Sequence, residues 1–187
     1  MDKRINMKIR GEKVTLLPIT QEEKDEFYAL ATESSGSKFW YDDQERSVLD
    51  KRKFFREWHE SYFNPKCPEE GQCFWIDVSG ERIGAVCHNR IDLKNKVVEL
   101  DIIIGEEKFC GKGYGTDALI TLMVHVFTNF DINRIWIGAR ANNQRAIKAY
   151  QKAGFKKEAV LRETDFFEGK FVDCVILRIL RKEFEKR

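Results

Sequence analysis

Residues 96–116 read KVVELDIIIGEEKFCGKGYGT: an apolar run breaks into a glycine-rich loop, and a long helical pattern follows. The order predicts strand, anion-binding loop, helix. Gly111, Gly113 and Gly115 are expected to give the backbone positive φ and a close approach to a ligand, with free N–H groups of the following helix aimed at the loop. Those donors and the positive helix end suit a phosphate or pyrophosphate. A dinucleotide fingerprint needs G-x-G-x-x-G and a later acidic strand end. Here the spacing is Gly111-Lys112-Gly113-Tyr114-Gly115, with nothing suitable beyond it. A Walker loop needs Gly-Lys-Ser/Thr, but Gly113 follows Lys112.

The same strand carries chemistry on one face. Side chains alternate, so Val98, Leu100, Ile102 and Ile104 share one side, expected in the core, and Val97, Glu99, Asp101 and Ile103 share the other. Two carboxylates therefore stand just upstream of the loop; carboxylates on a strand are also found simply facing solvent.

About 30 residues downstream comes NQRAIKAYQKAGF, residues 143–155. Asn143, Ala146, Tyr150, Gly154 and Phe155 match the pattern Asn-x-x-Ala-x-x-x-Tyr-x-x-x-Gly-Phe. Cys110-Gly111-Lys112-Gly113-Tyr114-Gly115 matches Gln/Arg-x-x-Gly-x-Gly/Ala except at its first position. With both halves at this spacing the chain resembles the GNAT superfamily of acetyl-CoA-dependent N-acetyltransferases. It looks most like the branch holding ribosomal-protein N-terminal and spermidine acetyltransferases, over residues 8–183 of one domain spanning 1–187. The resemblance implies an α/β (α+β) GNAT fold: a mixed, mostly antiparallel twisted sheet of six to seven strands flanked by about four helices.

Composition fits that size. With 187 residues and 42% apolar positions the chain can bury a substantial core. A net charge of +2 from 33 basic and 31 acidic residues gives no broad electrostatic footprint for nucleic acid or an anionic membrane. Residues 1–10 lack a signal-peptide apolar core, and no run approaches the roughly 18 apolar residues of a span, so a cytoplasmic location is expected. Cys67, Cys73, Cys87, Cys110 and Cys174 are odd in number without paired spacing, which predicts reduced, mostly buried thiols and no metal site.

Around the central stretch, residues 13–19 read as a first strand, and Thr20 with Glu23 as a capping box for a helix over 21–31. A second helical pattern runs from Ser47 through Leu49, Phe54, Phe55, Trp58 and Tyr62, with Lys51, Arg52, Lys53 and Arg56 on solvated faces. Strands are expected at 73–78, 82–91 and 134–140, with Gly84 marking a bulge or close approach. Asn142 or Asn143 caps a helix that Gly154 ends. A closing hairpin pairs 155–163 with 171–180. His88 reads as a partly exposed strand histidine without a catalytic role. Phe166, Phe167 and Phe171 form a candidate dimer surface in a chain expected as monomer or homodimer.

The resemblance implies site roles. Backbone groups of Ile102, Ile103 and Ile104 would contact the pantetheine arm of acetyl-CoA, and amides of Lys112, Gly113, Tyr114, Gly115 and Thr116, with Gly111, would cradle its pyrophosphate. Asn143, Arg145 and Ala146 belong to the same cofactor set. Cys110 departs from the pattern: a thiol cannot replace an extended charged or amide side chain. An alkyl ammonium, with a pKa of about 10.4, must lose a proton before it attacks. Glu99 is the first candidate base and Asp101 the reserve, unless both only bind the cation. Tyr150 is the candidate acid for the leaving thiolate. An acyl-cysteine route lacks an identifiable partner histidine.

The acceptor is expected at the link between the first two helices, where Phe39, Trp40, Tyr41 and Asp42 offer aromatic faces and a carboxylate. A polyamine, an aminoglycoside and a protein N-terminus fit equally. A catalytically silent acetyl-CoA-binding domain is the reading from another class.

Overall fold

The computed structural model describes residues 7–41, 45 and 49–186. Its strands are β1 (Ile9–Arg10), β2 (Thr15–Pro18), β3 (Gln72–Val78), β4 (Glu81–His88), β5 (Val97–Ile104), β6 (Arg134–Arg140), β7 (Lys156–Phe167) and β8 (Lys170–Leu180). They form one sheet in the order β1-β2-β3-β4-β5-β6-β8-β7. Every pairing is antiparallel except that of β5 with β6. The described helices are α1 (Lys24–Glu33), α2 (Lys51–Glu57), α3 (Tyr114–Asn129), α4 (Gln144–Lys152) and α5 (Arg181–Phe184). The architecture is the expected mixed one. Eight strands replace six to seven because β1 holds only two residues and pairs with β2 alone. The extra helix is a single turn following β8.

The central strand buries material on both faces. Val98 and Leu100 join Leu119, Leu122, Met123 and Val126 of α3 in one core, with Ile102 and Ile104 packed against it. On the other face Ile103 is buried with Phe27, Phe54, Phe63 and Trp75, correcting the expectation that only one side of β5 faces the core. Phe27 is fully buried, its ring centroid 5.0 Å from Trp58 and 5.4 Å from Phe63. Truncating such an aromatic costs about 3–5 kcal/mol.

Several local expectations need correction. The second helix ends at Glu57, and His59 then caps a 3-10 turn, Glu60–Phe63, which carries Tyr62. Cys73 and Cys87 face each other across β3 and β4 and are disulfide-bonded; spacing alone could not show that register. Of the free thiols, Cys67 is exposed and Cys110 and Cys174 half-buried. His88 is fully buried, not partly exposed, because Phe130 covers it, with ring centroids 5.8 Å apart. Burial holds its pKa down at about 4, so it is neutral. Phe166 and Phe171 are exposed and touch edge to face, whereas Phe167 is buried, with the Arg140 guanidinium 4.4 Å from its ring centre.

Candidate active site

The cleft starts where the two parallel strands part. β5 and β6 pair at Val97–Arg134, Val98–Ile135 and Glu99–Trp136. Beyond this, β5 stays bonded to β4 through Ile104, and β6 to β8 through Arg140. The facing edges are left open, and a cleft of about 770 Å³ lies between them. Asp101, Ile102, Ile103 and Ile104 line one wall, and Gly138, Ala139 and Arg140 the other. Unpaired strand-edge amides and carbonyls can bond a ligand in extended conformation.

At one end lies the glycine loop, where Gly111 has φ +75° and Gly113, the N-cap of α3, has φ +88°. Gly115 is inside the first helical turn and lacks positive φ, contrary to expectation. A Cβ on Gly115 would meet Ile102 at 3.6 Å, an ordinary contact. Cys110, Gly111, Gly113, Tyr114, Gly115 and Thr116 all line the cleft; Lys112 is exposed beside them. The Cys110 thiol donates to the Glu106 carbonyl at 3.7 Å, and burial raises its pKa.

Two residues at this end were invisible to the sequence reading. Asp117, buried in the first turns of α3, accepts from the amides of Lys13 at 2.7 Å, Val14 at 2.9 Å and Glu12 at 3.2 Å. This latches the segment before β2 onto the helix. Lys13 then reaches the loop, its Nζ donating to the Lys112 carbonyl at 3.2 Å. No motif signals a pair so far apart in sequence.

Asn143, Arg145 and Ala146 sit on the opposite lip. The Asn143 side chain caps α4 by accepting from the Ala146 amide at 3.1 Å, so its oxygen is already engaged. Arg145 pairs with Glu107 and lies 5.7 Å from the Phe39 ring centre. The Thr116 hydroxyl donates to the Ala149 carbonyl at 3.4 Å, tying α3 to α4.

Midway along the cleft stand the titratable groups. Burial, then the charge of Asp101, raises Glu99 to about 7. Burial raises Asp101 to about 6. Asp101 lines the cleft, while Glu99 is set behind it at the point of strand divergence. Tyr150 is buried and lines the cleft from α4; burial, then the charges of Asp101 and Cys174, raises its pKa, so it keeps its proton. Among the described residues no histidine lines the cleft, and no cluster of three His, Cys, Asp or Glu could hold a metal ion.

The far end is aromatic. The Gly36 amide donates to the Gly105 carbonyl at 3.0 Å, which docks the turn carrying Phe39 against the end of β5. Phe39, Trp40, Tyr41 and Trp58 line the cleft there. Trp40 and Trp58 stack with centroids 5.0 Å apart, and the Trp58 indole donates to the Tyr41 hydroxyl at 3.0 Å. Arg140 donates to Asp165 at 3.2 Å and to the Phe39 carbonyl at 3.2 Å. From sequence Trp58 reads only as part of a helical apolar stripe, and Asp165 carries no signal. Asp42 lies outside the described residues.

Comparison with known proteins agrees with this geometry. Residues 13–156 match the acetyltransferase (GNAT) domain. A spermidine N(1)-acetyltransferase of Escherichia coli is 24% identical over 171 residues, covering 91% of this chain and 88% of the relative. An uncharacterized N-acetyltransferase p20 of Bacillus licheniformis is 30% identical over 109 residues, 58% of this chain and 61% of that one, so this match spans less than two thirds of its length. Among solved structures, spermidine N-acetyltransferase from Vibrio cholerae with CoA and spermine superposes with a TM-score of 0.77 at 19% identity, covering 92% of this chain and 98% of that one. The ribosomal L7/L12 alpha-N-protein acetyltransferase RimL with coenzyme A gives 0.76 at 19%, covering 93% and 98%. A family match over most of the sequence, joined to a cleft between parting strands and a glycine loop at a helix N-terminus, establishes that this chain belongs to the GNAT family of acetyltransferases.

Proposed function

We propose that the protein transfers the acetyl group of acetyl-CoA to a primary amine by direct attack in a ternary complex. The observation that carries this reading is the placement of Asp101 and Tyr150 in one cleft with the glycine loop, with Glu99 immediately behind. The residues suit the cosubstrate. Positive-φ glycines at the α3 N-terminus suit a pyrophosphate, and the open edge of Ile102–Ile104 suits the amides of a pantetheine arm.

Glu99, with Asp101, takes the proton of the acceptor ammonium. The amine nitrogen then forms its bond to the acyl carbon while the carbon–sulfur bond breaks. Tyr150 supplies the proton to the departing sulfur and is reprotonated by the second proton the nitrogen sheds on becoming an amide, while the first passes from Glu99 to solvent. A base with a pKa of about 7 matches removal of a proton near neutral pH, and a tyrosine held protonated matches a donor.

For the acceptor, the aromatic wall of Trp40, Tyr41 and Trp58 in the same cleft as Asp101 supports a small cationic amine, held by ring faces and a carboxylate. The spermidine-acetylating relative and the spermine-bound neighbour support the same class. The RimL neighbour supports a protein N-terminus as the second reading.

Free-thiol release from acetyl-CoA, followed with spermidine, aminoglycosides, amino acids and N-terminal peptides against a no-acceptor control, tests this. Turnover with one class establishes the transferase and names its acceptor. Acetyl-CoA binding without turnover on any of them favours an acceptor outside the panel or a silent binding domain.

A further inference from the structure

Asn89 is the first residue beyond β4 and has no counterpart among the motifs. Its amide N–H donates to the Glu99 carbonyl at 2.9 Å, which fixes it opposite that residue. Its side-chain Nδ2 donates to Glu99 Oε2 at 3.0 Å, and Asp101 also draws on the same amide. The oxygen of that amide accepts from the Tyr62 hydroxyl at 3.1 Å. A carboxamide can be turned end for end, and the Tyr62 hydroxyl could pair with either end; an ionised Glu99 carboxylate only accepts, which sets Nδ2 toward it and leaves Oδ1 for the hydroxyl. Tyr62 is itself placed by its ring, 5.5 Å from that of Trp58, and by Gly71, where a Cβ would stand 2.8 Å from the Tyr62 ring.

We infer that Asn89, its amide held by Tyr62, is a positioning residue that orients the Glu99 carboxylate and stabilises its charged form beside Asp101. The inference rests on the catalytic reading of Glu99 for its functional meaning, although the hydrogen-bond chain stands without it. Burial and the neighbouring Asp101 both favour a protonated Glu99. Left to those two alone, the carboxyl would be a poor base at neutral pH. A donated N–H opposes them, because a hydrogen bond to the ionised form lowers a carboxyl pKa.

Other charged and titratable groups surround the pair among the described residues. Tyr62 faces it from the 3-10 turn, and Tyr150 faces Asp101 from α4. From β8, Cys174 senses Glu99, Asp165 and Arg140. His88 is neutral beside Asn89, its Nδ1 lying 3.1 Å from the Asn89 carbonyl. Among these, Asn89 is the group whose side chain donates to Glu99.

The test is a carbon-detected NMR titration of the Glu99 carboxyl in the free protein, which needs no acceptor. Asn89→Leu is expected to raise its midpoint by about one pH unit. Tyr62→Phe, which keeps the ring and removes only the hydroxyl, is expected to move it the same way by less. Wild-type midpoints in both variants overturn the inference; if Asn89→Leu does not fold, Tyr62→Phe decides alone. Thiol release by Glu99→Gln is followed in parallel. An unmoved midpoint with an inactive Glu99→Gln defeats only the role of Asn89, whereas a moved midpoint with a fully active Glu99→Gln defeats only the catalytic reading.

Discussion

The Lys13 ammonium donates to the Lys112 carbonyl at 3.2 Å, joining residues 99 apart in sequence. A Cβ on Gly113 would lie 3.0 Å from the same nitrogen, so the charge sits directly over the left-handed turn. At this loop the sequence offers Cys110 where a glutamine or arginine is usual, and Lys13 brings a cation by another route. Lys13→Met is expected to raise the KM for acetyl-CoA several-fold, roughly 3- to 10-fold, with kcat unchanged and the difference shrinking at high salt. S-acetylpantetheine, which lacks the phosphates, should show no change; an equal change with both donors would remove Lys13 from phosphate binding.

The carboxylate pair sets two pH dependences of opposite sign. A base must be ionised, so kcat/KM should fall as pH drops through about 7, where Glu99 titrates. Glu99→Gln should lower kcat by roughly 10²–10⁴-fold and remove that limb. Stability runs the other way. Both carboxyls hold protons more tightly folded than unfolded, so this contribution is fully present below about pH 4 and lost as pH rises through about 6 and 7. Asp101→Asn should therefore melt higher than wild type at pH 8 and lose that advantage near pH 4, measured by calorimetry at both pH values.

For Tyr150, removing the hydroxyl alone separates chemistry from packing. Tyr150→Phe keeps a ring in the core beside Phe155, whose centroid is 6.4 Å away. We expect kcat to fall roughly 10²-fold, with the KM for acetyl-CoA and the melting temperature near wild type. Unaltered turnover would leave Tyr150 as a core aromatic.

Asp117 anchors the N-terminal segment through three backbone donors. Asp117→Ala leaves those amides without their acceptor and should cost about 2–4 kcal/mol in chemical denaturation. It should also raise the KM for acetyl-CoA in the same direction as Lys13→Met, since the lysine loses its foothold. A stable variant with an unchanged KM would show that the latch matters to neither.

What could be read in advance follows how local each cause is. Strand β5, the loop and α3 are written in one continuous stretch by alternation, glycine spacing and helical periodicity. The Asn143 cap and the end of α4 at Gly154, with φ +99°, are equally local. Asp117 with Lys13, and Tyr62 with Asn89 and Glu99, are set by which strands meet, so no window of sequence contains them. His88 reads as partly exposed until Phe130 is known to cover its face. The Cys73–Cys87 pair needs the β3–β4 register, and Gly115 needs the point at which the helix begins.

The short ladder between β5 and β6 has a mechanical consequence. Among the described residues the ladder between a five-stranded half-sheet and a three-stranded one has three residue pairs. Beyond those pairs the two edges lie open above a core that both halves share, and any extended ligand that bonds both edges acts as a rivet between them. Cosubstrate occupancy should then stiffen the whole domain, slowing amide exchange well away from the atoms it touches.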